Sequence, residues 1–242
     1  MTLPPDRSHL STEQRNPRSA ALHTLDAGGL VRLMNAENRA VFDALDAAAP
    51  ALTAFIADIE AGFVAGGRLV YVGAGTSGRL GVLDASEAPP TFQVEPGRIV
   101  GIIAGGDGAL RKSSEGKEDE PDGARAELDA LRLTPRDALI GIAAGGTTPY
   151  ALGAIALAKR TGARTALMTC VAVAKPDDAD HLLLLASGPE VLTGSTRLKA
   201  GTATKLALNT ISTALMVHAG AGRRPHRAGR RRTPAAPACE RR

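Results

Sequence analysis

Apolar and polar positions change rhythm along this chain. After a polar opening stretch, residues 27–48 and 51–65 repeat apolar side chains at three- and four-residue intervals, which predicts two helices with Pro50 at the break. From residue 68 onward, short aliphatic runs alternate with helical patterns. Strands are predicted at 68–73, 99–104, 138–143, 164–169 and near 182–185, and helices at 77–86, 123–131 and 149–161. A final helical pattern begins near Ser195, with Leu198, Leu206, Ile211, Ala214 and Leu215 as its buried positions. Such alternation predicts an α/β domain: a three-layer, doubly wound parallel sheet with crossover helices, preceded by the N-terminal helices. The expected organisation is a polar segment over 1–26, one domain over 27–220 and a tail over 221–242.

Composition narrows the class. The chain has 242 residues, four Phe, two Tyr and no Trp, so the expected core is aliphatic. Cys170 and Cys239 lie far apart without metal-ligand spacing, and the five histidines show none either, so neither a disulfide framework nor a metal site is expected. The opening residues lack an apolar signal core and the longest aliphatic run, 182–186, is too short for a bilayer; a cytoplasmic protein without membrane partners is the expectation. The net charge of +4 is misleading. Residues 223–242 hold eight Arg and one Glu, a net +7, which leaves −3 on residues 1–222. A nucleic-acid partner is therefore not expected, since the body has no basic stripe interleaved with aromatics. The tail, rich in Arg, Pro and Ala without periodicity, reads as disordered. Out-of-frame reading of a GC-rich gene accounts for that composition better than a tether does.

The stretch LVYVGAGTSGRLGVLDASEAPPTF (69–92) carries the most chemistry. A strand runs into a glycine-hydroxyl turn and then a helix. Gly73, Gly75 and Gly78 let backbone approach an anion, and Thr76 and Ser77 offer hydroxyls and amides where the helix dipole favours negative charge. The loop AGGTTP (144–149) repeats the logic with Gly145, Thr147 and Thr148 ahead of Pro149. Each loop alone is also explained as a capped strand-to-helix turn; two at neighbouring strand ends favour a phosphate site. Gly73 to Gly78 satisfies G-x-G-x-x-G, but the acidic residue expected at the end of the second strand is missing, because Asp107 lies beyond it in a loop. No nicotinamide cofactor is expected. Ser195, Thr196 and Lys199 are candidates to close the pocket from the start of the last helix; a cap and a surface lysine explain them equally well.

Five segments, TEQRNPRS (12–19), GAGTSGRLGVLDASEAPPTF (73–92), GIIAGGDGAL (101–110), EGKED (115–119) and GPEVLTGSTRLKAGTATK (188–205), resemble the N-acetylmuramic acid 6-phosphate etherases of the sugar isomerase (SIS) fold group. The likeness spans roughly residues 12–220. It implies a SIS-type sheet and a homodimer. It also implies a lyase of peptidoglycan recycling that converts N-acetylmuramic acid 6-phosphate to N-acetylglucosamine 6-phosphate and D-lactate, without metal or organic cofactor. The resemblance puts the acid that assists lactate departure at Glu87 and the base that takes the carbon-2 proton at Glu118. Read without the family, Glu87 precedes Ala88-Pro89-Pro90 at a helix end where its charge opposes the dipole, and Glu118 sits in an acidic run typical of a solvated loop. Two alternatives on the same fold are a phosphosugar isomerase, disfavoured by the lack of a histidine near these loops, and a non-catalytic sugar-phosphate sensor. The chain departs from the family pattern in three places: Gly145 stands where a serine is usual, Thr169-Cys170-Val171-Ala172 replaces T-C-N-P, and the arginine-rich tail follows Gly220.

Overall fold

A strand that is apolar on both faces needs cover on both sides, and five such strands with helices between them make a closed three-layer arrangement. The computed structural model describes residues 10–112 and 116–221. Helices α1 (Ala27–Glu37) and α2 (Ala40–Val64) precede β1 (Leu69–Gly73), α3 (Gly75–Phe92), β2 (Ile99–Ile103), α4 (Arg125–Leu131), β3 (Ala138–Ile142), α5 (Pro149–Arg160), β4 (Arg164–Thr169), β5 (His181–Leu184) and α6 (Lys199–His218). All pairings are parallel, in the order β2-β1-β3-β4-β5. Successive side chains point to opposite faces. Leu69 and Tyr71 therefore join the core beneath α2, α3 and α6, whereas Val70 and Val72 join a second core beneath α4 and α5.

The expected elements are present, with shifted boundaries. Pro50 does not break the helix: α2 runs through it, and the interruption falls at Asn38 and Arg39 instead. A proline leaves the carbonyl four residues earlier unpaired, but that residue, Asp46, is exposed, while Ala48 and Leu52 on either side are buried in one core. Packing thus outweighs the lost bond. Helix α3 likewise continues past residue 86 through Pro89 and Pro90 and ends at Gln93, which takes a left-handed conformation with φ of 55°. Helix α6 begins at Lys199, not at Ser195. By length and composition the helical stretch 27–64 is apolar enough to cross a bilayer. In this fold Val41, Leu52, Phe55 and Ile59 of α2 are core residues packed with α6 and β5.

Residues 10–26, set apart from the domain by their polarity, are packed onto it. Leu10, Thr12 and Asn16 are buried. The Gly194 amide donates to the Thr12 carbonyl at 3.2 Å, and the Asn16 amide group donates to the Pro189 carbonyl at 3.1 Å and to Glu37 Oε2 at 2.6 Å. Of the disordered tail expected over 221–242, residues 222–242, with Cys239, lie outside the described residues, as do residues 1–9 and 113–115.

Candidate active site

The connections leaving β1 and β3 run to opposite sides of the sheet, which opens a crevice at the carboxyl ends of these neighbouring strands. A cavity of about 230 Å³ occupies it. From the loop after β1 come Gly75, Thr76 and Ser77; from the loop after β3 come Gly145, Thr147 and Thr148. Gly75 has φ of 53° with nothing within 4 Å of a would-be Cβ, so the turn needs its left-handed backbone rather than its small size. Neither α3 nor α5 has a side-chain cap. The first-turn amides of α3 are therefore available to an anion; α5 offers less, because Pro149 has no N–H and the Ala151 amide already donates to the Thr148 carbonyl at 3.1 Å.

Glu118 also lines this cavity. It sits in a single 3-10 turn, Lys117–Asp119, entered through Gly116 at φ of 85°. The chain after it is pressed onto α5: a Cβ at Gly153 would meet the Pro121 carbonyl oxygen at 1.7 Å, so only glycine permits this approach. On the other side, the Arg79 guanidinium donates to the carbonyls of Ala109 (2.7 Å) and Leu110 (3.2 Å), tying the loop after β2 to α3. The acidic run stays exposed over 116–120, and Glu118 within it lines the cavity beside the two glycine-hydroxyl loops.

Glu87 is not among the residues lining the cavity; it lies on the exposed face of α3, one turn beyond the exposed Leu83. Its neighbour in the same motif has a different task. Asp84 is buried and accepts bonds from the Tyr71 hydroxyl (2.9 Å), the Asn209 amide (2.7 Å) and the Ser212 hydroxyl (3.1 Å), which clamps β1, α3 and α6 together. Burial first, and the Asp84 charge second, push the Tyr71 phenol well above its ordinary range.

The segment before α6 divides similarly. Thr196 lines the cavity, whereas Ser195 is in a turn whose amide donates to the Leu192 carbonyl at 2.9 Å. Lys199 is buried, with its ammonium 2.9 Å from Glu37 Oε2. The α6 amides are taken as well: Glu190 accepts from Lys199 N at 3.1 Å and Ala200 N at 2.9 Å. The anion at this helix start is the protein's own carboxylate, so Lys199 and these amides are committed to structure. Burial would raise the Glu37 carboxyl, but bonds from Lys199 and Asn16 hold it below its usual range. Glu190 goes the other way; burial lifts it despite its two backbone donors.

Sequence reasoning assigned no role to Leu10, Glu13 or Gly194, which also line the cavity. The signal for Glu13 was the TEQRNPRS motif, whose polarity reads as an independent segment until the fold brings it across; Gly194 falls in GPEVLTGSTRLKAGTATK, and Leu10 lies in neither. Cys170 is buried, and burial pushes its thiol up to about 12, so it is no nucleophile. Among the described residues no cluster of His, Cys, Asp and Glu suits a metal ion. A larger cavity, about 350 Å³ near Val64, Arg98 and Met216, contains none of the predicted residues.

Residues 47–159 match the family described as the glucokinase regulatory protein N-terminal SIS domain. The chain is 53% identical over 217 residues to an N-acetylmuramic acid 6-phosphate etherase of Gloeobacter violaceus, covering 89% of this chain and 71% of that one. It is 49% identical over 212 residues to the etherase of Streptomyces coelicolor, covering 87% and 68%. Among solved structures, an Escherichia coli CFT073 protein in complex with A5P superposes with a TM-score of 0.55 at 15% identity, covering 83% of this chain and 100% of that one. The Vibrio vulnificus NanR protein complexed with ManNAc-6P gives 0.51 at 16% identity, covering 78% and 66%. The structural likeness establishes the shared fold.

Proposed function

The chain belongs to the N-acetylmuramic acid 6-phosphate etherase family, and from that membership we propose that it cleaves the D-lactyl ether of N-acetylmuramic acid 6-phosphate, giving N-acetylglucosamine 6-phosphate and D-lactate. The observation that carries this reading is one cavity combining two glycine-hydroxyl loops with Glu118 in a chain 53% identical to a named etherase. The phosphate is held by the first-turn amides of α3 and the hydroxyls of Thr76, Ser77, Thr147 and Thr148. The sugar opens to its aldehyde, which acidifies the carbon-2 proton. Glu118 takes that proton, the carbon-3 to oxygen bond breaks with its electron pair leaving on lactate, and a second carboxyl group protonates the departing oxygen. Water then adds to the unsaturated aldehyde at carbon 3, with the same carboxyl acting as base. Two carboxyl groups in opposite protonation states suffice for this sequence.

Glu87 is our assignment for that second group, acting in a homodimer. Support comes from its exposure on α3 beside Leu83 and its absence from its own chain's cavity lining. A two-fold partner seated on this face delivers Glu87 of one copy to the cavity of the other. The setting is cytoplasmic. The test is lactate release from N-acetylmuramic acid 6-phosphate. Glu87→Gln and Glu118→Gln are each expected to lose it by at least ~100-fold, while a mixture of the two inactive variants regains about a quarter of the parent's activity through hybrid dimers. Undiminished release in either variant removes that residue from the mechanism, and failure of the mixture to recover removes the shared site.

A further inference from the structure

Glu13 has a surrounding that stability does not explain. Its carboxylate lines the same cavity as Glu118, close to loops whose amides and hydroxyls suit an anion, where a second negative charge opposes the ligand. Among the described residues it forms no ion pair; its side-chain partner is the Thr12 hydroxyl, which donates to Oε1 at 3.4 Å. It is nevertheless held in place. Thr12 is fully buried and its carbonyl accepts from Gly194 N at 3.2 Å, while the Glu13 amide donates to the Leu10 carbonyl at 2.9 Å. A Cβ on Gly194 would stand 3.0 Å from Glu13 Oε2, so the glycine leaves the space the carboxylate fills. Asn16 and Arg18 lock the segment further, through Glu37.

We propose that Glu13 is a substrate-positioning residue whose carboxylate accepts hydrogen bonds from the hydroxyl or amide N–H groups of the bound amino-sugar phosphate. This role rests on the sugar-phosphate reading of the cavity and extends it to a part of the ligand that the phosphate loops do not touch. A phosphate group fills only a fraction of about 230 Å³, so the remainder must recognise the sugar. Carboxylates suit that task because each oxygen accepts from more than one donor and neither donates when ionised. The TEQRNPRS motif then acts as a unit: Thr12 and Asn16 anchor the segment, and Glu13 projects from it into the site.

Calorimetric titration of the full chain with N-acetylglucosamine 6-phosphate and, separately, with inorganic phosphate tests this directly. Glu13→Ala is expected to weaken the sugar phosphate by ~10-fold or more while inorganic phosphate changes by less than about twofold and the melting temperature stays put. Glu13→Gln, which retains one acceptor oxygen, is expected to fall between parent and Glu13→Ala. In lactate release, the Glu13→Ala defect is expected mainly in KM. Sugar-phosphate affinity within about twofold of the parent overturns the role. Equal weakening of both ligands together with a lower melting temperature also overturns it, by making Glu13 merely structural. If the parent binds the sugar phosphate Glu13-dependently but frees no lactate, the etherase reading fails and Glu13 keeps its role; a parent that binds neither probe removes both.

Discussion

At the scale of single residues, the loop after β3 holds the most informative departure. Gly145, a departure from the serine that the family resemblance implies, lines the cavity, and its backbone is not left-handed. The nearest atom to a would-be Cβ is Leu10 Cδ1 at 3.7 Å, an ordinary contact. Space and conformation therefore both admit a hydroxyl. Gly145→Ser is expected to tighten binding of inorganic phosphate or the sugar phosphate by about 1.5–3 kcal/mol, the worth of a hydrogen bond to a charged group, as read by titration calorimetry. Affinity that does not rise would mean that Thr147 and Thr148 already saturate the phosphate oxygens. Gly145, Thr147 and Thr148 were all legible from the motif; the availability of the Gly145 position was not, because Leu10 approaches it from the far end of the chain.

At the scale of elements, one buried carboxylate decides how α3 meets α6. Asp84 satisfies Tyr71, Asn209 and Ser212 at once, and the Tyr71 ring is fully buried. Asp84→Ala removes the acceptor for three donors and is expected to lower stability by about 3 kcal/mol in urea unfolding. Asp84→Asn, which keeps the shape, should lose less. A loss under about 0.5 kcal/mol for Asp84→Ala would show that water replaces the carboxylate there. The motif DASE therefore divides by helix face: Asp84 points to the core, and Glu87, three residues later, points to solvent. The local pattern puts Glu87 at a helix end and assigns Asp84 no role. It did not show that the helix persists through Pro89 and Pro90, since that depends on the core cover that α3 supplies.

For the whole molecule, three buried or half-buried carboxylates hold distant segments together. Asp137 accepts from the Arg68 guanidinium and amide and from Thr134, Asp180 pairs with Lys159 and Thr165, and Glu37 joins Asn16, Arg18 and Lys199. Burial opposes ionisation at each, but these donors win, so all three titrate below their ordinary range. A carboxyl group with a lowered folded-state pKa contributes stability that is present above its unfolded value and lost as pH falls through the folded one. Melting temperature is therefore expected to fall steadily below about pH 4.5, and Asp137→Asn, already weaker at pH 7, is expected to show a shallower decline. A decline parallel to the parent's would exclude Asp137 from the acid response.

The alternation of aliphatic runs with helical patterns was enough to dictate the α/β class, the five strands and the place of both glycine-hydroxyl loops, because strand and helix periods and glycine-hydroxyl turns are local properties of the chain. What the tertiary structure decided is long-range. Lys199, which reads as a free cation for phosphate, is spent on Glu37, 162 positions away in the chain. The amides at the start of α6 go to Glu190, and Glu118, exposed as its acidic run suggests, nonetheless lines the cavity because the chain after it closely approaches α5. A polar leading segment becomes part of the site because its buried Thr12 and Asn16 find partners at Gly194, Pro189 and Glu37. Whether a charged group serves a ligand or the fold depends on which partner reaches it first in space, and local periodicity carries no information about that distance.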